Sequence, residues 1–192
     1  MTITINNQEI KVTNEQMEML KKALNLNSKR LADVPVGDTF MIAGIEFIHF
    51  GDGKAVTKDI LFSKVFDKGT NNLAKSSLLD RLKTDVLPRI ENEVGAENIL
   101  EFETDLWALD GTDKYGSMMS KISLPTFDFY RQNKKIFEKY PVNDWWWVAT
   151  PDSTNNSSVR CVYRGGALFN YNCYYGLGVR PFCIFKSSIF VS

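Results

Sequence analysis

Histidine and cysteine are scarce in this sequence, and charge of neither sign prevails: there is one histidine, His49, there are three cysteines, and 23 basic side chains stand against 23 acidic ones. Each shortage excludes something. A lone histidine, with no HExxH pattern and no CxxC pair, leaves no recognisable metal site, so no metal or other cofactor is expected. The odd cysteine count, at Cys161, Cys173 and Cys183, argues against a disulfide framework. Reduced thiols are expected instead, with Cys161 and Cys183 buried and Cys173, in a polar run, open to solvent. Because the charges are interspersed, nothing marks a footprint for nucleic acid or an anionic membrane. No run approaches the roughly 18 to 20 apolar residues of a membrane span. The stretch MTITINNQEIKV lacks the basic-then-apolar pattern of a signal peptide, so residence in a cytoplasm is expected. P-loop, GxSxG and GxGxxG patterns are missing, and no histidine or lysine stands beside Cys173 to activate it; the chain reads as non-enzymatic.

The 192 residues suffice for one domain with a sizeable core and a small appendage. ITINNQEIKV alternates as a hairpin does, and Thr13 with Gln16 makes a capping box before a helix that carries Met17, Leu20 and Leu24 on one face. Residues 1 to 30 thus read as a hairpin-helix appendage, which docks on the body (residues 35 to 192) or on a second copy to form a homo-oligomer. DTFMIAGIEFIHFGDGKAVTKDILF predicts two strands around Gly51-Asp52-Gly53. SSLLDRLKTDVLPRI predicts a helix capped by Ser76 or Ser77, with Leu79, Leu82, Val86 and Ile90 inward and Pro88 ending or kinking it. A further helix is expected after Leu124, with Pro125 in its first turn and Phe127, Tyr130 and Phe137 toward the core.

Strands and turns follow. Residues 143 to 182, NDWWWVATPDSTNNSSVRCVYRGGALFNYNCYYGLGVRPF, hold three of the four tryptophans and two of the three cysteines. Strand alternation puts Trp145 and Trp147 opposite Trp146, and Val159, Cys161 and Tyr163 opposite Arg160 and Val162. In GVRPFCIF, read as one strand covered on both sides, Val179, Pro181, Cys183 and Phe185 oppose Arg180, Phe182 and Ile184. A buried Arg180 requires a carboxylate or carbonyl partner. The class is α+β with an antiparallel sheet. Two polar segments have the composition of recognition loops, in which Tyr supplies contact area and Asn adaptable hydrogen bonds. They contribute Asp152, Thr154, Asn155 and Asn156 in one, and Asn170, Tyr171, Asn172, Tyr174 and Tyr175 in the other. The same composition also suits solvated turns with tucked aromatic edges.

The pieces WWWVATP, VRCVYRGGALF and GVRPFCIF, with the upstream TFMIAGIEF, SSLLDRLK and LDGTDKYG segments, together resemble an uncharacterised domain family of Firmicutes and their prophages, over roughly residues 35 to 190. The RGG-to-GVRP ending is also similar to C-type-lectin-like domains of the formylglycine-generating-enzyme kind, which include phage variable ligand-binding proteins. This resemblance implies a C-type-lectin-like antiparallel sheet with flanking helices and long loops. It further implies a phage- or prophage-encoded binding module that takes a protein or glycan ligand through the nine residues just named, in the host cytoplasm or on a virion. An intracellular inhibitor of a host defence protein and a virion decoration protein are the alternatives. The enzyme's closely spaced cysteine pair, which works with copper, is not reproduced, because the cysteines here are 12 and 10 residues apart. Nor do the carboxylate motifs of calcium-dependent lectins occur, since Asn143-Asp144 precedes the tryptophans.

Overall fold

The structure is a computed structural model that describes residues 2–5, 8–13, 15, 16, 19 and 28–192. Its strands are β1 (Thr2–Ile5), β2 (Gln8–Lys11), β3 (Lys29–Arg30), β4 (Thr39–Ile42), β5 (Ile45–His49), β6 (Lys54–Thr57), β7 (Phe62–Val65) and β8 (Ile99–Leu100). They continue with β9 (Phe102–Asp105), β10 (Ser117–Ser120), β11 (Trp146–Pro151), β12 (Ser158–Val162), β13 (Leu168–Asn172), β14 (Gly176–Val179), β15 (Phe182–Phe185) and β16 (Phe190–Val191).

β1 and β2 form the expected hairpin, with Ile3 opposite Ile10. The capping box closes behind it: Gln16 N–H donates to Thr13 Oγ1 at 3.1 Å and Thr13 N–H donates to Gln16 Oε1 at 2.9 Å. Met17, Leu20 and Leu24, the apolar face assigned to the next helix, lie outside the described residues. From β3 onward the chain is tied to the body, for β3 pairs with β16 and Leu31, fully buried, donates its N–H to Ile189 O.

Two five-stranded sheets carry the rest, in the orders β13-β12-β11-β14-β7 and β4-β5-β6-β15-β8. With the helices this is an α+β protein. The expectation of a purely antiparallel sheet is corrected at one place, where β14 runs parallel to β11 beside Trp146. A second correction concerns the hairpin region before residue 58. Ala43 and Gly44, both at positive φ, make a tight turn of their own, so three strands stand there instead of two. The Gly51-Asp52-Gly53 turn does form, and Gly53 is there because a Cβ would lie 1.9 Å from Phe185 O. His49 is buried with Nδ1 2.8 Å from Val34 O, a structural role.

GVRPFCIF is not one strand. The chain leaves the first sheet after Val179 and enters the second at Phe182, with Arg180 and Pro181 as the crossing. The alternation nevertheless survives it: Val179, Cys183 and Phe185 join one core cluster, Phe182 and Ile184 the other. The same division runs through β11, where Trp147 and Ala149 face the first cluster and Trp146 and Val148 the second. Arg180 finds carbonyl partners, Nε donating to Thr57 O at 2.9 Å and Nη2 to Lys58 O at 2.8 Å, and lies over the rings of Trp146 and Phe137. Burial pulls its guanidinium down to about 10, which leaves it charged at neutral pH.

Helices cover each cluster. Ser76 caps the helix Ser77–Arg81 by accepting Leu79 N–H; a π turn over Leu82–Val86 and the helix Leu87–Val94 continue it, with Leu78, Leu79, Leu82, Val86 and Ile90 in the first cluster. Pro88 therefore does not end the helix. The wider turn before it lets the chain run on, and Pro88 stands in the first turn of the helix Leu87–Val94, where proline is tolerated. Tyr130 and Phe137, from the helices Phe127–Gln132 and Lys134–Phe137, cover the second cluster. Thr126 caps the first of these, so Pro125 stands just outside the helix instead of within its first turn.

Candidate functional site

The polar segment after β11 is built inward. Asp152, its carboxylate almost wholly buried, accepts on Oδ1 from Thr154 N–H (2.9 Å), Thr154 Oγ1 (2.7 Å) and Asn155 N–H (3.1 Å). On Oδ2 it accepts from Arg160 Nη2 at 2.9 Å and Asn170 Nδ2 at 3.1 Å. Burial opposes its ionisation, but the Thr154 hydroxyl and N–H, the Arg160 charge and the Asn155 N–H together outweigh that and hold the carboxyl below its ordinary range. Asp152 is thus the internal anchor of its loop, which corrects its assignment as a ligand contact. Asn155 spends its side-chain oxygen on Ser157 N–H and Asn156 on Lys114 Nζ. With Thr154 these two are exposed.

Asn71, which sequence reasoning missed, holds the loop from beneath. Its Nδ2 donates to Asp152 O (2.9 Å), Asn155 O (3.2 Å) and Ser158 O (2.9 Å), and its Oδ1 accepts from Tyr115 Oη at 2.6 Å. No local pattern could mark it, because the three carbonyls lie 81 to 87 residues away.

The second segment divides by strand alternation. β13 pairs with β12 so that Asn170 is opposite Arg160 while Phe169 and Tyr171 are opposite Cys161 and Val159. Asn170 therefore joins Asp152 and Arg160 on one face, and Phe169 and Tyr171 take the other. Asn172 is a turn former, accepting Tyr174 N–H on its side chain and Tyr175 N–H on its carbonyl. Cys173, expected at the surface, is fully buried in the first core cluster, because its N–H is bound to Ser157 O and its carbonyl to Asp67 N–H.

The tyrosines are not core. Tyr171, Tyr174 and Tyr175 are 38 %, 52 % and 51 % exposed, and Phe169 is 53 % exposed. They belong to one continuous group of rings. Trp145 contacts Tyr163 (4.5 Å between centroids), Phe169 (5.6 Å) and Tyr171 (5.4 Å); Tyr175 contacts Tyr171 and Tyr174, each at 5.1 Å. Arg164, in the Gly165-Gly166 turn, extends the group by donating from Nε to Tyr163 Oη at 2.9 Å. The cause is geometric: the face that buries Val159 and Cys161 continues across the edge strand, where Phe169 and Tyr171 lie opposite them, so the rings there spill from core into solvent. Tyr and Asn composition pointed to this region, but Trp145, Tyr163 and Phe169 could be added only once the register was known.

Other sites offer less chemistry. Burial pushes the Cys161 thiol up to about 12 and raises Cys183; burial and then the neighbouring Asp67 raise Cys173, so none is poised as a thiolate near neutral pH. Among the described residues no group of three or more His, Cys, Asp or Glu could hold a metal ion, and no helix is long and apolar enough to cross a membrane. A concavity of about 860 Å³ between the 49–53 turn and Lys186–Ser188 has His49 committed to Val34 O and Asp52 to Lys54.

Residues 64–187 match the family described as a domain of unknown function, DUF6273, and the chain belongs to that family. No curated protein and no solved structure matches it.

Proposed function

We propose that the protein is a non-catalytic binding module, C-type-lectin-like in design, that recognises a protein or glycan ligand through the aromatic face of β13 and the turn after it. One observation carries this reading: a contiguous group of half-exposed rings, Phe169, Tyr171, Tyr174 and Tyr175, backed by Trp145. Soluble proteins rarely leave such a patch uncovered without a use for it. Rigid two-torsion aromatics offer large contact area at small entropic cost, and central aromatics dominate interface energies. Asp152, Asn170, Arg160 and Asn71 serve as the frame that holds β12 and β13 in register behind the rings.

The test uses the full chain as bait against a glycan array and a displayed random-peptide library, followed by the triple variant Tyr171→Ala, Tyr174→Ala, Tyr175→Ala. The variant should melt within a few degrees of wild type, since surface truncations cost about 0.5 kcal/mol each, and should lose whatever binder the wild type selects. A binder retained by the variant, or none selected on either surface, overturns the proposal.

A further inference from the structure

Edges of exposed sheets invite pairing, and proteins blunt them with charge, proline, brevity or a covering segment. Three of the four edges of the two large sheets are blunted in these ways. β4 has its Met41 N–H bound to Ser192 O, β8 is two residues long, and β7 carries Lys64. The fourth, β13, is five residues long and reads LFNYN, with no charge and no proline.

Its hydrogen-bonding parity leaves it open. Tyr163 N–H donates to Ala167 O and Cys173 N–H to Ser157 O, so residues 167, 169, 171 and 173 turn their main-chain groups toward β12. Leu168 and Asn170 then turn theirs away from the sheet, and no hydrogen bond occupies those groups among the described residues. The open ladder runs beside the exposed rings of Phe169 and Tyr171.

We infer that β13 accepts an extended peptide segment of another protein as an added strand. The segment pairs with the main chain of Leu168 and Asn170 and lays uncharged side chains against Phe169 and Tyr171. This rests on the aromatic face being the recognition surface, and it names the partner class. Main-chain pairing would supply affinity and the rings the side-chain preference, as in other cases of strand addition. A glycan fits less well. The rings are tilted by 42° to 71° to one another and make no flat platform for stacked sugars, and a sugar has no use for an alternating row of peptide donors and acceptors. A second copy of this chain is also disfavoured. The four exposed rings, at roughly 200 Å² per residue, present about 400 Å², against about 800 Å² per partner in a stable interface.

The probe is a linear peptide of about twelve residues, selected from a displayed random library against the full chain and then synthesised. Asn170→Pro deletes an outward N–H that no intramolecular bond uses, a tolerated place for proline on an edge strand, so the fold should persist by thermal melt. Binding should be weaker by about tenfold or more than in Asn170→Ala, which loses the same side-chain bond to Asp152 but keeps the main chain. N-methylation along the peptide should abolish binding at every second residue. Asn170→Pro binding as tightly as Asn170→Ala, or N-methylation showing no period of two, refutes strand addition, and loss in the triple tyrosine variant alone would then leave the aromatic face standing. Selection of glycans but no peptide refutes the partner class. A wild-type dimer in light scattering that Asn170→Pro converts to monomer refutes it in favour of a second copy. Should Asn170→Pro unfold, the N-methylation series on the wild-type chain decides alone.

Discussion

Asn71→Ala should destabilise the protein far more than one polar truncation usually does. The side chain makes four hydrogen bonds, three donated to carbonyls of the 152–158 loop and one accepted from Tyr115. The amide has two hydrogens to share among the three carbonyls, so at about 1 kcal/mol net for each hydrogen and for the bond from Tyr115 the loss is about 3 kcal/mol. For a chain of 192 residues, at about 2 to 4 °C per kcal/mol, the melting temperature should fall by roughly 10 °C. Circular dichroism of the melt reads this directly. Amide hydrogen exchange at Thr154 and Asn155 should accelerate in parallel, because the loop loses its floor. Asn71→Asp separates lost donors from lost volume: it keeps the shape but points carboxylate oxygens at three carbonyls, and at neutral pH should cost at least as much as Ala. Tyr115→Phe removes a single bond and should cost about 1 kcal/mol. An Asn71→Ala melt within about 2 °C of wild type, or an Asp variant as stable as wild type, would refute the claim that this amide organises the loop.

Two further outcomes follow from buried groups. Asp152→Asn leaves Arg160 without its partner and should cost about 3 kcal/mol at pH 7 by urea unfolding. The Asp152 carboxyl is held below its ordinary 3.8 in the fold, so its contribution is fully present above that pH and is lost as pH falls through the folded value; the gap between variant and wild type should shrink below about pH 4. All three cysteines are buried, so native protein should show no fast-reacting thiol and urea-unfolded protein three; rapid native labelling of Cys173 would place its turn outside the core.

Face alternation was the most legible feature of the fold. Trp146 and Trp147 point to opposite clusters, and Cys183 and Phe182 do likewise, because period-two geometry is local to a strand. The carbonyl partners of Arg180 and the reciprocal bonds of Thr13 and Gln16 were legible for a similar reason: the chemistry of one or two residues demands them. What could not be read is which sheet a strand joins. GVRPFCIF has an unbroken alternation and yet divides between two sheets, since alternation encodes facing and not neighbours. Long-range closure also hid the role of Asp152, whose polar, turn-forming neighbours look solvated until Arg160 and Asn170 are brought onto it. Within the candidate site, composition singled out the tyrosines, but Phe169 and Trp145 resembled core residues, and it is their place on and beside the edge strand β13 that leaves their face open.

The crossing at Arg180 and Pro181 has a consequence for how the chain is made. β14 fills the place between β11 and β7, and β15 the place between β6 and β8. Until residues 176–185 leave the ribosome, both sheets have a gap in the middle. A nascent chain that stops short of them presents four naked strand borders, with Trp146, Trp147 and Phe47 unsealed beside them. Domains with such non-local pairing fold slowly, and their incomplete forms aggregate. Premature termination anywhere before this decapeptide should therefore yield insoluble product and not a smaller folded fragment, and chaperone demand should peak just before it emerges.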